Sequence, residues 1–180
     1  MTARLAFWFL AGATIVVWLF MVLLTLPYIQ QQAGGLAPFD LRPLGYSFDE
    51  AKAFLSALSP EGKAYYLGPQ HWLDLFFPGL IAATLYCALV VLLRPYMGGS
   101  GRFVAAVAAL VAIFDWLENS AVAAILNAGP DGVTADMVAA ASRWTLLKSG
   151  VSTVVYTAVL VLAVIAGWRL WKRRQSADLS

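Results

Sequence analysis

Cysteine and histidine are almost missing from this chain, which has one of each, Cys87 and His71, among 180 residues. A single thiol excludes an intrachain disulfide and any cysteine-rich metal site. A single histidine leaves the H-x-x-D pair of His71 and Asp74 as half of the di-metal arrangement that helical bundles carry, so no fixed metal is expected. Charge is scarce too, at 12% of residues, where soluble domains hold about 25%. With 61% apolar residues and a mean hydropathy of +0.75, a bilayer is the expected solvent for most of the chain. No repeat and no low-complexity tract interrupts the sequence, apart from the polar tail. Gly98-Gly99-Ser100-Gly101 has neither the length nor the lysine of a phosphate loop and reads as a turn.

Long apolar runs take the place of charge. Crossing a hydrocarbon core of roughly 30 Å takes about 20 apolar residues in a helix. Residues 5–26 are uncharged, residues 75–93 run uncharged from Asp74 to Arg94, and residues 149–168 run uncharged from Lys148 to Arg169. A fourth run, 103–127, is long enough but contains Asp115 and Glu118. The first run is too long for the apolar region of a signal peptide, and no A-x-A-like site follows it, so it is expected to be retained. These runs predict an all-α integral membrane four-helix bundle, a single domain over residues 1–180, with spans near 5–26, 71–93, 103–127 and 145–168.

Orientation follows from the basic residues. Arg4, Arg94, Arg102, Arg169, Lys172, Arg173 and Arg174 share one side, opposed only by Asp178. On the other side, Arg42, Lys52, Lys63 and Arg143 are offset by Asp40, Asp49, Glu50, Glu61, Asp131 and Asp136. Both termini are therefore expected in the cytoplasm, and residues 28–69 outside. Tyr65, Tyr66, Trp72, Trp144, Trp168 and Trp171 read as interfacial aromatic belts.

The 28–69 connection opens with Pro27 and the glutamines 30–32, then continues through Gly34-Gly35 and the extended stretch APFDLRPLG. Within it SFDEAKAFLSAL predicts a short amphipathic helix near 48–58. Ser47 and Glu50 have capping-box spacing, and Phe48, Ala51, Phe54, Leu55 and Leu58 share one face. Such a helix lies in the interface plane or caps the bundle. Downstream, NAGPDG predicts a turn and Thr134 an N-cap. A helix from Ala135 to Trp168 would be about 50 Å long at 1.5 Å per residue. It must therefore project beyond the bilayer or break near Ser142. The alanine-rich face of 105–112 predicts close helix packing.

The polar residues gather on helical faces. His71, Asp74 and Pro78 share one face of the second span; Asp115, Glu118 and Asn119 fall within about a 100° arc of the third. Thr145, Lys148, Ser149, Ser152 and Tyr156 form a stripe on the fourth. A charge facing lipid at the midplane costs about 2.5–3.5 kcal/mol, so these stripes should face one another. The expected result is a pocket open to the outside, with His71, Asp74 and Lys148 at its rim, Glu118 and Asn119 in its wall and Asp115 as its floor. Three carboxylates face one lysine there. A proton, a cation or His71 must supply the missing positive charge. Lys148 is expected to pair with Glu118 or Asp74.

In LDLFFP (73–78), DWLEN (115–119) and TLLK (145–148) the chain resembles a family of uncharacterised bacterial four-span inner-membrane proteins. The resemblance implies an inner-membrane location and carries no activity.

Three uses of the pocket are open. The favoured one is a small binding or structural membrane protein, with Asp115, Glu118, Asn119, Lys148, Ser152 and Tyr156 lining a ligand or ion pocket or joining the helices by hydrogen bonds. The second is an acid–base enzyme on a lipid-like or isoprenoid-like substrate, with His71, Asp74 and Glu118 as its catalytic groups. The third is a proton or cation site, with or without transport. Membrane lipid is the expected surrounding partner, and an oligomer or larger complex is compatible with the sequence. No nucleic-acid partner is expected, and the residues name no cofactor.

Overall fold

The computed structural model describes residues 3–178. The side chains of Arg4 and Asp178, both counted in the charge asymmetry, lie outside the described part. The described chain is helical with no strand. Helix α1 (Ala3–Phe20) passes through a π-helical turn at Met21–Thr25 into α2 (Leu26–Gln32). A 3₁₀ turn at Phe39–Leu41 leads to α3 (Phe48–Ala57) and α4 (Pro60–Tyr65). A second π-helical turn, Tyr66–Gln70, opens into α5 (His71–Met97). A tight turn at Gly98–Ser100 and the short α6 (Gly101–Ala105) return the chain as α7 (Ala108–Gly132), and α8 (Ala135–Asp178) follows.

Three continuous helical stretches are long and apolar enough to cross a membrane: Phe7–Gln32, Pro60–Gly132 and Ala135–Ser176. The middle stretch doubles back at Gly98, whose φ of +56° suits glycine, so it contributes two packed helices, α5 and α7. Helices α5, α7 and α8 pack on one another. Small side chains permit their close approach, since Ala105 and Ala108 are fully buried beside Leu89, Val111 and Val155, as the alanine-rich face predicts. Helix α1 packs chiefly on α5. A hydrogen bond of 2.9 Å between the Thr14 and Thr84 hydroxyls ties the two together.

One end of the molecule is capped by the 28–69 segment. Ser47 closes the capping box with Glu50, whose Oε2 accepts from the Ser47 backbone N–H at 2.7 Å. Ala51, Phe54 and Leu55 turn inward while Asp49, Glu50 and Lys52 stay exposed. Phe54 and Phe39 are fully buried against Ile125, Leu126, Val138 and Ala141. Each ring contributes about 1.5–3 kcal/mol by its burial. The predicted helix is thus a lid on α7 and α8. Its contact also explains why α8 does not break near Ser142: the first turns of α8 are covered by protein. Ser142 Oγ accepts the Tyr46 backbone N–H at 3.0 Å. Gly45, at φ +78°, comes so close that a Cβ would lie 2.6 Å from that oxygen. The NAGPDG turn forms at Gly129 (φ 69°) and Pro130, and Thr134 Oγ1 accepts from the Met137 N–H as an N-cap.

Candidate functional site

Proline shapes the middle of the site. Pro78 lies inside α5 and has no N–H to offer the carbonyl of Asp74, four residues earlier. Asn119 supplies the missing donor, its Nδ2 reaching the Asp74 backbone oxygen at 2.9 Å. The same amide donates to Asp115 Oδ1 at 3.1 Å. One α7 side chain thereby repairs α5 and positions its own neighbour. Trp116 adds a second cross-link, its Nε1 donating to the Leu75 carbonyl at 2.9 Å.

On α8, Lys148 Nζ lies 2.9 Å from Asp115 Oδ1 and 2.6 Å from Glu118 Oε2. Thr145 Oγ1 donates to Glu118 Oε1 at 2.5 Å. Glu118 is 2% exposed, and both its oxygens are engaged. The LDLFFP, DWLEN and TLLK stretches thus meet in one network.

Asp74 is arranged differently. It is 7% exposed, and its Oδ1 accepts from Gln70 Nε2 at 2.8 Å. Among the described residues its Oδ2 has no hydrogen-bond partner, and neither has Asp115 Oδ2. Lys148 takes Asp115 as well as the expected Glu118, and leaves Asp74 aside. Asp74, Asp115 and Lys148 border a cavity of about 180 Å³ together with Ser152 and Tyr156 of α8 and Trp18, Met21 and Val22 from α1 and the π turn.

A residue beyond the expected set completes this cavity. Asp40, in the 3₁₀ turn, also lines it. Pro38 and Phe39 are buried beside it. Arg42 fixes the turn by donating from Nε and Nη2 to the Ala37 carbonyl at 3.0 and 2.8 Å. Tyr66 donates its hydroxyl to Asp40 Oδ2. Tyr66, expected in an interfacial belt, is 3% exposed and belongs to the core. Its turn is π-helical because Pro69 cannot close the ordinary helical bond. The other π turn, Met21–Thr25, precedes Pro27 and contributes Met21 and Val22 to the cavity. One widened turn thus lines the cavity and the other holds two of its acids, Tyr66 on Asp40 and Gln70 on Asp74, a frequent setting for π-bulges.

At the capped end, where an open funnel is expected, Asp40 and Leu41 line the cavity. A lateral gap lies between α1 and α8, which both pack on α5 without packing closely on each other. Half-exposed Trp18 and Tyr156 flank it. His71 lies elsewhere, at a one-water cavity of about 10 Å³ shared with Asp40, Tyr66, Asp74 and Asn119. Glu118 lines neither cavity. The structure therefore brings His71 and Asp74 together but leaves Glu118 apart from them. Ser149 is half-buried on the α8 stripe, outside both linings. Among the described residues, no three His, Cys, Asp or Glu side chains converge as metal ligands.

Sequence periodicity could not find Asp40, because the turn that carries it has no helical register. A usable signal is its position beside Pro38 and Phe39 in a chain with few acids. Comparison with protein-family models, curated proteins and solved structures finds no match for this chain.

Proposed function

We propose that this chain is a four-span bundle of the bacterial inner membrane that binds an amine-bearing, cationic group in the Asp40–Asp74–Asp115 cavity. The charge asymmetry of the connections supports cytoplasmic termini and an outer position for the capped end. The four spans are α1 with α2, α5, α7 and α8, and the resemblance in LDLFFP, DWLEN and TLLK supports the same reading.

One observation carries the functional part. Three carboxyl groups border a single cavity, each with an oxygen that has no side-chain partner among the described residues, while the lysine amine beside them is already shared between Asp115 and Glu118. Buried carboxylates need a proton or a cation to balance them. An ammonium group supplies the charge together with N–H donors for carboxylate oxygens. Structural cross-linking alone accounts for Glu118, Thr145 and Asn119, but not for a polar cavity beside them.

The test is thermal melting in lipid nanodiscs with butylamine as the probe. A ligand of the folded state at a hundredfold its Kd stabilises by about 2.7 kcal/mol. Butylamine should raise Tm, butyrate should not, and Asp74→Asn should remove the butylamine response. An equal response in Asp74→Asn, or none in the wild type, would overturn the reading.

A further inference from the structure

Two further openings follow the polar cavity along α5. Phe77, Ile81, Ala88 and Val91 recur at helical spacing on one stripe of α5 beside α1 and α8, with Thr84, hydrogen-bonded to Thr14 of α1, between the two openings. Next to the polar cavity lies an opening of about 370 Å³ that shares Trp18, Phe77 and Tyr156 with it. Beyond that is a larger space of about 610 Å³ bounded by Phe7 of α1, Ala88 and Val91 of α5, and Val159 and Ala163 of α8. This far space is almost wholly apolar in its lining, while all the charge sits at the other end. Polarity therefore changes along the groove as it does along an amphiphile.

Resting on the cationic-group reading above, we infer that the ligand is a single-chain amphiphile with an amine headgroup, its hydrocarbon chain lying between α1 and α8. Carboxylates in excess of lysine select the charge of the head. The gap between α1 and α8 admits the molecule sideways from the bilayer, with no need to pass the α3 lid. Length adds a constraint. From Met21 to Phe7 the groove runs about 21 Å at the helical rise of 1.5 Å per residue. One leaflet holds about half of the roughly 30 Å hydrocarbon core. A head held beside Asp74 therefore sends its chain past the midplane, which favours a long, unbranched or isoprenoid-like chain over a short one. Because lipid is as apolar as the groove, the gain from the chain is alignment and packing rather than hydrophobic transfer.

The experiment uses the full chain in nanodiscs and two photoreactive oleylamines, one with the diazirine at the chain terminus and one with it next to the amine. The chain-end probe should label Phe7, Val91 and Ala163, with competition by oleylamine and none by oleate. Val91→Trp should remove most of that label; Val91 is 68% exposed, so the change costs no core packing. Ala163→Leu provides a second obstruction. Chain-end labelling of Leu160 and Val164, on the outward face of α8, as strong as that of Ala163 would overturn the chain path. An unchanged label in both obstructed variants would overturn it as well. The head-end probe reports separately on the underlying reading. Its label near Phe77 and Ser152 should fall with excess butylamine and in Asp74→Asn. A head-end label indifferent to both would overturn the amine site itself.

Discussion

Glu118 on α7 and Asp74 on α5 are both nearly buried acids, yet their surroundings differ. Glu118 has a partner on each oxygen, Thr145 on one and Lys148 on the other. Asp74 has one oxygen held by Gln70 and borders open space, with no partner on the other among the described residues. The first arrangement joins helices. The second leaves an unused acceptor in a cavity, a condition that costs free energy unless something occupies it. Two acids of similar burial thus differ in kind: one is closed into a helix-joining network, and the other keeps an acceptor at a cavity.

Breaking the closed side should have the largest effect. Lys148→Met leaves two carboxylates without their shared cation, and unpairing a buried ion pair costs about 3–5 kcal/mol. Adding Glu118→Gln should restore part of the loss, because one stranded charge is removed. Equilibrium unfolding in detergent would read both; strict additivity would mean that the two side chains do not interact.

The next effect tests the Pro78 repair. Asn119→Leu orphans the Asp74 carbonyl in a buried setting, at a cost of about 1–3 kcal/mol. Pro78→Ala returns an N–H to α5, so in that background the same Asn119→Leu change should cost distinctly less. An equal cost in both backgrounds would show that Asn119 acts only through Asp115.

At the lid the effect is smaller. Ser47→Ala removes a helix N-cap, worth about 1 kcal/mol. The Ser47 backbone and hydroxyl donors hold the Glu50 carboxyl below its ordinary range. A depressed carboxyl stabilises the fold above its unfolded pKa and loses that contribution as pH falls through its folded value. Amide exchange of residues 48–51 should therefore accelerate as pH drops below about 4.3, the ordinary glutamate value, once corrected for the intrinsic rate. Ser47→Ala keeps the backbone donor and removes the hydroxyl, so it should weaken that dependence without abolishing it.

Asp74→Asn should change stability least. The amide oxygen can still accept from Gln70, and no cation is stranded, so the shift should stay below that of Ser47→Ala. A loss comparable to that of Lys148→Met would place Asp74 in the structural network instead.

Much of this contrast was legible in the sequence, for reasons that differ between residues. Helical spacing alone brought Asp115, Glu118 and Asn119 to one face, and the stripe from Thr145 to Tyr156 to another. Capping chemistry placed α3 at its observed start because Ser47 and Glu50 act locally. The closure of the capped end was not legible. It depends on Phe39 and Tyr66 packing across long chain separations, and Asp40 enters the site through a 3₁₀ turn without periodicity. Nor could spacing show that Lys148 would share itself between Asp115 and Glu118, since helix rotation settles that choice. The lateral gap between α1 and α8 follows from which helices pack, a property of the assembled fold.

Reaction with the apolar reagent dicyclohexylcarbodiimide, mapped by mass spectrometry on the protein in nanodiscs, tests the division between open and closed carboxyls most directly. Modification is expected at Asp74, with Glu118 unmodified. Glu118 labelled as readily as Asp74, or an Asp74 that stays unmodified, would contradict it.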